Sequence, residues 1–176
     1  MSENRVDPTV AALFLVGFIT MVFGLIGLAS NGEWADAFAL GQTGGDCALA
    51  VGVIFIVLTV MAAKSNNAFA TALFAFIALG LASTSYALGY ESEIAIILIG
   101  VFFLIFAIVA FIVGAPKLLF LQLVFVFLLY LFVGLSLGGG DSVDTYQLLF
   151  GIFGVLAGIV ATYLGFALAT EKLPVV

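Results

Sequence analysis

Histidine is missing from the 176-residue sequence, and cysteine occurs once, as Cys47. Histidine is the commonest general base and metal ligand in proteins, so its absence excludes two frequent kinds of active site. One cysteine cannot form an intramolecular disulfide bond, and it leaves the redox compartment open. No apolar segment holds a pair of acids. We therefore expect no enzyme activity, no catalytic residues, no cofactor and no metal site.

Charge is also scarce, and positive charge is scarcer than negative. The chain has 4 Lys and Arg against 10 Asp and Glu, and 8% of its residues are charged, where an ordinary globular domain carries about 25%. With no basic patch to neutralise phosphates, we expect no nucleic-acid binding. Hydrophobic residues make up 65% of the chain, and the mean hydropathy is +1.40. These values indicate an integral membrane protein, with residues 1–176 forming a single membrane domain.

Two long apolar runs organise the sequence, Ile94–Val113 and Leu118–Leu137, and neither contains a charged residue. As a helix, each would be about 30 Å long, which is the thickness of the hydrocarbon core of a bilayer. A soluble core helix has no need of apolar residues on every face over that length. Pro116, between the two runs, cannot continue the first helix but can begin the second. The pattern predicts a membrane hairpin with a tight turn.

Four further apolar runs complete the pattern, separated by short polar segments. The run Val10–Ala29 is too long for the apolar region of a signal peptide, so we expect it to remain as the first helix. The predicted fold is an all-α integral membrane bundle of six transmembrane helices. The predicted helices cover residues 9–29, 44–63, 67–88, 94–113, 118–137 and 145–169. Helices 1–3 and 4–6 run in opposite senses, which permits a 3+3 inverted repeat, although the two halves show no clear sequence echo.

The basic residues predict the orientation of these helices, because positive charge is retained on the cytoplasmic side of membrane proteins. If the turn at Lys117 is cytoplasmic, six helices also place Arg5, Lys64 and Lys172 inside. The outer loops then carry acids alone. These acids are Glu33, Asp36, Glu91, Glu93, Asp141 and Asp144. We therefore predict a multi-pass protein of the cell (plasma) membrane, surrounded by the lipid bilayer, with both termini cytoplasmic.

Asp46 is the one acid that falls within the limits of a predicted helix away from the loops. It can lie in the first turn of helix 2 near the outer surface, where the helix dipole favours a carboxylate. Alternatively, it takes part in proton or substrate handling, as intramembrane acids often do. The sequence favours the first reading but leaves both open.

The other polar residues inside the predicted helices are neutral. Those that we assign to a candidate substrate path are Thr20, Asn67, Ser83, Thr84, Gln122 and Tyr163. A buried Ser or Thr often bonds the carbonyl of its own preceding turn, so each alone favours a structural role. As a set, they supply hydrogen-bonding groups without fixed charge, which is what a pore for a small polar solute needs.

Small residues recur along helices 1 and 6. Helix 6 contains Gly154 and Gly158 at a spacing of four, and helix 1 contains Gly17, Gly24 and Gly27. Such spacing lets two membrane helices approach closely. It predicts either packing inside the bundle or contact between subunits.

Several motifs together resemble a known family. Helix 5 reads Lys117, then Leu121-Gln122-x-Val124-Phe125-x-Phe127, and the end of the chain reads Ala161-x-Tyr163-Leu164 and then Glu171-x-Leu173-Pro174-Val175. In order and spacing these resemble the acetate uptake transporter family, the bacterial acetate–succinate permeases with their yeast and archaeal relatives. The hallmark of that family, Asn-Pro-Ala-Pro-Leu-Gly-Leu, differs here, where the sequence is Asp7-Pro8-Thr9-Val10-Ala11-Ala12-Leu13.

The resemblance implies a channel or transporter for acetate or a similar small monocarboxylate, or for succinate. It places Asp7 and Pro8 on the substrate path. It also implies an apolar pore constriction, which by motif position falls on Phe18, Ile77 and Leu131. The family further implies a homo-oligomer, a hexamer with one pore per protomer. Because a bare carboxylate in hydrocarbon costs tens of kcal/mol, we expect proton-linked passage through the constriction.

Two other functions remain open. The urea and amide channels are also six-helix hexamers, and Asn31-Gly32 after helix 1 is similar to them. A structural or accessory membrane subunit without a pore is the other alternative, although it would confine polar residues to its loops.

Overall fold

The computed structural model describes residues 8–29 and 37–170 of the chain, and these fold into six α-helices with no strand among them. The helices are α1 (Pro8–Ala29), α2 (Ala37–Lys64), α3 (Ala68–Gly89), α4 (Glu93–Ile112), α5 (Lys117–Leu137) and α6 (Val143–Thr170). Each contains a segment long and apolar enough to cross a membrane. The predicted fold class, an all-α bundle of six membrane helices, is therefore confirmed.

The helix limits differ from the predicted ones mainly at α2, which begins at Ala37 rather than at residue 44. The sequence predicted a loop before residue 44, because that segment contains Asn31-Gly32 and the acids Glu33 and Asp36; Gly41, Gly44 and Gly45 nevertheless lie inside the helix. A glycine inside a helix costs only about 1 kcal/mol relative to alanine, and the neighbouring Ala and Leu residues are strong helix formers. The other limits lie within two residues of the prediction.

The helices follow one another around a closed ring. Each packs against its neighbours in sequence, and α6 packs against α1 to close the ring. Neighbouring helices are antiparallel, as pairs of close positions show: position 17 meets 162 and 27 meets 151, 45 meets 85 and 52 meets 78, and 100 meets 130 and 134 meets 97. Consequently α1, α3 and α5 all begin at the same end of the bundle, while α2 and α4 end there.

Lys64 and Lys117 lie at this end, which we call the basic end of the bundle. Glu93 and Asp144 lie at the opposite end, in the first turns of α4 and α6. The described charges are therefore segregated as the positive-inside argument requires. Arg5 and Lys172 lie outside the described residues, so the cytoplasmic location of both termini stays a prediction.

Glycines allow the backbones of α1 and α6 to pack in direct contact. A Cβ atom added to Gly24 would lie 2.5 Å from the backbone nitrogen of Val155, and one added to Gly27 would lie 2.6 Å from the Cα of Gly151. Only glycine permits such an approach, which brings backbone dipoles and Cα–H groups into contact. The small residues of helices 1 and 6 thus serve packing inside the bundle.

The α4–α5 hairpin turns as the sequence suggests. Gly114 adopts a φ of +72°, a conformation that favours glycine, and the backbone nitrogen of Ala115 donates to the carbonyl of Ala110 at 2.9 Å. Pro116 then precedes the first residue of α5, where its fixed φ suits a helix start. This turn brings the first residues of α5 next to the cavity described below.

Candidate functional site

A cavity of about 160 Å³ opens inside the ring near the basic end of the bundle. Its walls come from α1, α3 and α5, with one side chain from α4. The lining residues are Thr9, Ala12, Leu13, Val16, Asn67, Phe69, Ala70, Leu73, Phe74, Ile77, Phe103, Ala115, Leu119, Gln122 and Leu123. One water needs about 10–15 Å³ of such space, so the cavity has room for a small organic ion with some of its hydration water.

Helical periodicity selects these residues. On α1 the lining positions are 9, 12, 13 and 16, and on α3 they are 70, 73, 74 and 77. Both sets follow the i, i+3, i+4, i+7 spacing of one helix face. Ala12 on α1 and Ala70 on α3 are small lining residues and are almost fully buried. Their short side chains leave space in the cavity that a larger side chain would fill.

The amino-terminal ends of α1, α3 and α5 converge on this cavity. Thr9 is the second residue of α1, Asn67 is the N-cap of α3, and Ala115 lies just before Pro116 and α5. Each helix N-terminus carries roughly half a positive charge. The convergence favours an anion at the cavity mouth, although no Lys, Arg or His is among the lining residues.

Gln122 contributes the one amide side chain on the α5 wall. The residue is 2% exposed, and its Nε2 atom is buried without a hydrogen-bond partner. Buried polar groups in proteins nearly always have partners, so an unpaired donor next to a cavity needs a functional explanation. Asn67 differs from Gln122, because its Oδ1 accepts a hydrogen bond from the backbone nitrogen of Ala70 at 3.0 Å and caps α3.

Beyond the cavity, buried side chains fill the same helix faces. Thr84 on α3 donates its hydroxyl proton to the carbonyl of Gly80 at 2.7 Å. Since that uses its only proton, the hydrogen bond of 3.0 Å between Thr84 and Tyr130 has the Tyr130 hydroxyl as donor. The Tyr130 ring packs on Phe103, with ring centroids 5.5 Å apart. This hydrogen bond links α3 to α5, and the Tyr130 ring lies against Phe103, which lines the cavity.

The structure brings three of the predicted site residues together. Ile77, Asn67 and Gln122 all line the cavity. Thr20 and Thr84 are buried elsewhere, and both bond the carbonyl of their own preceding turn, Thr20 with Val16 at 2.7 Å. These two hydroxyls therefore follow the structural reading that the sequence favoured for single Thr residues.

The structure does not place the remaining predicted site residues on the cavity. Phe18 is 54% exposed on the outer face of α1, and Leu131 is half-buried on α5 with its backbone near Gly100 of α4. Ser83 and Asp46 are exposed, and Tyr163 is half-buried on α6. Asp46 is the tenth residue of α2, which begins at Ala37 and has no acid in its first turn, so the reading that placed Asp46 in the first turn of the helix is wrong. It lies near the start of the apolar segment Gly44–Lys64. Pro8 begins α1 next to the cavity residue Thr9, and Asp7 lies outside the described residues.

Motif matching in the sequence did not identify two residues that line the cavity, Val16 and Phe103. Val16 occupies the inner end of the α1 wall, in the place that motif matching gave to Phe18. The two residues are about 200° apart around the helix, so they cannot share a face. Counting in steps of three and four from Thr9 leads to Val16. Phe103 was also missed, because nothing in an apolar helix distinguishes the one Phe that faces inward.

Metal binding finds no support in the described residues, where no three His, Cys, Asp or Glu side chains come together as metal ligands would. The polar groups that the cavity offers are the helix N-termini, the Thr9 hydroxyl and the amides of Asn67 and Gln122, among apolar walls.

No family model matches the sequence, and no curated protein matches it either. The structure is similar to a solved structure of the bacterial acetate channel SatP, with a TM-score of 0.72. The similarity covers 97% of this chain and 99% of that chain, at 16% sequence identity. A likeness at this identity concerns the fold: the chain shares the six-helix membrane fold of that channel.

Proposed function

We propose that this protein is a membrane channel or transporter that passes small monocarboxylates such as acetate. The observation that carries the proposal is the small apolar cavity at which three helix N-termini and the amide of Gln122 converge. The shared fold with an acetate channel supports it.

The charge pattern favours passage together with a proton. Helix N-termini stabilise a carboxylate at the cavity mouth. Further in, Ile77, Leu73 and Phe103 provide no counter-charge, and an uncompensated carboxylate among them is very costly. The neutral acid crosses such a region far more easily. We therefore propose electroneutral passage, with the narrowest part formed by Ile77 and Val16.

The exposed apolar faces of the helices are relevant to the oligomeric state of the protein. Large side chains such as Phe102 and Phe111 on α4 face outward, where they suit lipid or another protomer. We propose a homo-oligomer in the plasma membrane, a hexamer as in the family that the sequence resembles, with the cavity of each protomer belonging to its own pathway.

Flux through liposomes tests the function. Purified protein is reconstituted, and uptake of labelled acetate is followed with and without an imposed pH gradient, with urea as a parallel solute. We expect acetate uptake above that of empty liposomes, increased by the gradient. Urea uptake without acetate uptake would instead indicate an amide channel, whose neutral solutes Gln122 and Asn67 also suit. No uptake of either solute would support the accessory subunit.

A variant that fills the cavity tests whether the solute passes through it. Ala12 is 2% exposed and lines the cavity, so Ala12→Phe fills it and should abolish uptake. Ala72→Phe is the matched control, because Ala72 is exposed on α3 and outside the cavity lining. Uptake that survives Ala12→Phe in a correctly folded protein would place the pathway elsewhere.

A further inference from the structure

Gln122 occupies a defined depth in the cavity. At ~1.5 Å per residue, it lies roughly 8 Å along α5 from Lys117, beyond the helix N-termini at the mouth. Its neighbours on the same wall are Leu119 and Leu123. Among the described lining residues, the other polar side chains, Thr9 and Asn67, belong to the first turns of their helices at the mouth. Gln122 is thus the innermost polar side chain of the lining.

The walls beyond this depth are apolar. Ile77 is 5% exposed and lies roughly 14 Å along α3 from Ala68. Phe103 and Leu123 also line the cavity, and the hydroxyl of Tyr130, whose ring packs on Phe103, is hydrogen-bonded to Thr84. A solute held at Gln122 therefore meets a donor on one side and hydrocarbon on the other.

We propose that Gln122 is the specificity-determining residue of the site: its buried amide turns toward the cavity when solute enters, so that its Nε2 group donates to one carboxylate oxygen of a short monocarboxylate, whose alkyl end lies against Ile77 and Phe103. The proposal rests on the proposed function and adds the residue that selects the substrate. To pass inward beyond Gln122, a dicarboxylate must bring a second carboxylate into the apolar inner part, where no donor lines the cavity, so the site discriminates against succinate and its homologues. The unpaired donor in the empty protein is the group that the solute satisfies.

The substitution Gln122→Met keeps the length of the side chain and removes both N–H donors. A hydrogen bond to a charged group contributes about 1.5–3 kcal/mol, so we expect acetate uptake to fall about tenfold or more. Gln147→Met is the matched control, because Gln147 is half-buried on α6 and outside the cavity lining. That control should take up acetate at the wild-type rate.

Thermal unfolding of the empty protein separates this role from a structural one. A structural glutamine stabilises the fold, so its loss lowers the midpoint of unfolding. An unpaired buried donor destabilises the empty protein, so Gln122→Met should unfold at the wild-type temperature or above it. Saturating acetate should raise the midpoint of the wild type and leave that of Gln122→Met unchanged.

The selectivity of the wild-type protein tests the proposal without any variant. Labelled acetate, propionate and succinate are compared at equal concentration in liposomes, and we expect the two monocarboxylates to enter at least about tenfold faster than succinate. Equal uptake of succinate, or acetate uptake by Gln122→Met equal to the wild type, would overturn the role of Gln122 while leaving acetate transport intact. Absence of acetate uptake by the wild type would instead overturn the proposed function itself.

Discussion

The contact between α1 and α6 predicts that adding one methyl group to Gly24 separates two membrane helices. A Cβ atom at this position would lie 2.5 Å from the backbone nitrogen of Val155 and 2.8 Å from the carbonyl carbon of Gly154. Ordinary contacts begin near 3.4 Å, so the helices must move apart by 3.4 − 2.5, which is about 0.9 Å. No side-chain rotation can relieve the clash, because the atoms that it meets belong to the backbone.

Gly80→Ala provides the reference for this substitution. Gly80 is also buried in a helix, but a Cβ atom there would first meet the Cγ2 atom of Ile99 at 3.5 Å, which is an ordinary contact. Both substitutions gain about 1 kcal/mol of helix propensity. The difference between them therefore isolates the packing penalty at Gly24, which we place at about 1–3 kcal/mol.

Thermal unfolding of the purified variants measures this difference. In a chain of this length, 1 kcal/mol shifts the midpoint by about 2–4 °C. We expect Gly80→Ala to unfold at or above the wild-type temperature, and Gly24→Ala to unfold about 2–12 °C below Gly80→Ala. Equal midpoints for the two alanine variants would refute the backbone contact between α1 and α6.

Two further predictions concern the interior and the orientation of the helices. Tyr130→Phe removes the hydrogen bond to Thr84 and should lower the free energy of unfolding by about 0.5–1.5 kcal/mol, measured by the same thermal assay; an unchanged midpoint would argue against the bond. In a Cys47→Ser background, Ser65→Cys at the basic end should react with an impermeant thiol reagent only from the cytoplasmic side, and Ser142→Cys only from outside. Labelling of both cysteines from one side would contradict the alternating helices.

The candidate site shows which roles of polar residues the sequence predicted and which ones only the tertiary structure reveals. Gln122 was predicted because an amide in a membrane helix is conspicuous, and it does line the cavity. Thr84 was conspicuous for the same reason, yet its hydroxyl is used by Gly80 and Tyr130. A polar residue in an apolar segment can face a solute, its own backbone or another helix, and the sequence does not distinguish among these.

The sequence by itself determined the class of the protein, the number of membrane helices and the segregation of Lys64 and Lys117 from the acids. These properties depend on residues averaged along the chain, since each segment must satisfy the bilayer on its own. Only the tertiary structure decided which face of each helix points inward. Helices that are apolar on every side carry no amphipathic signal, so Val16 replaced Phe18 on the cavity wall through packing alone. The closure of the ring by α1 and α6 follows from contacts between residues more than a hundred positions apart, such as Gly24 and Gly154.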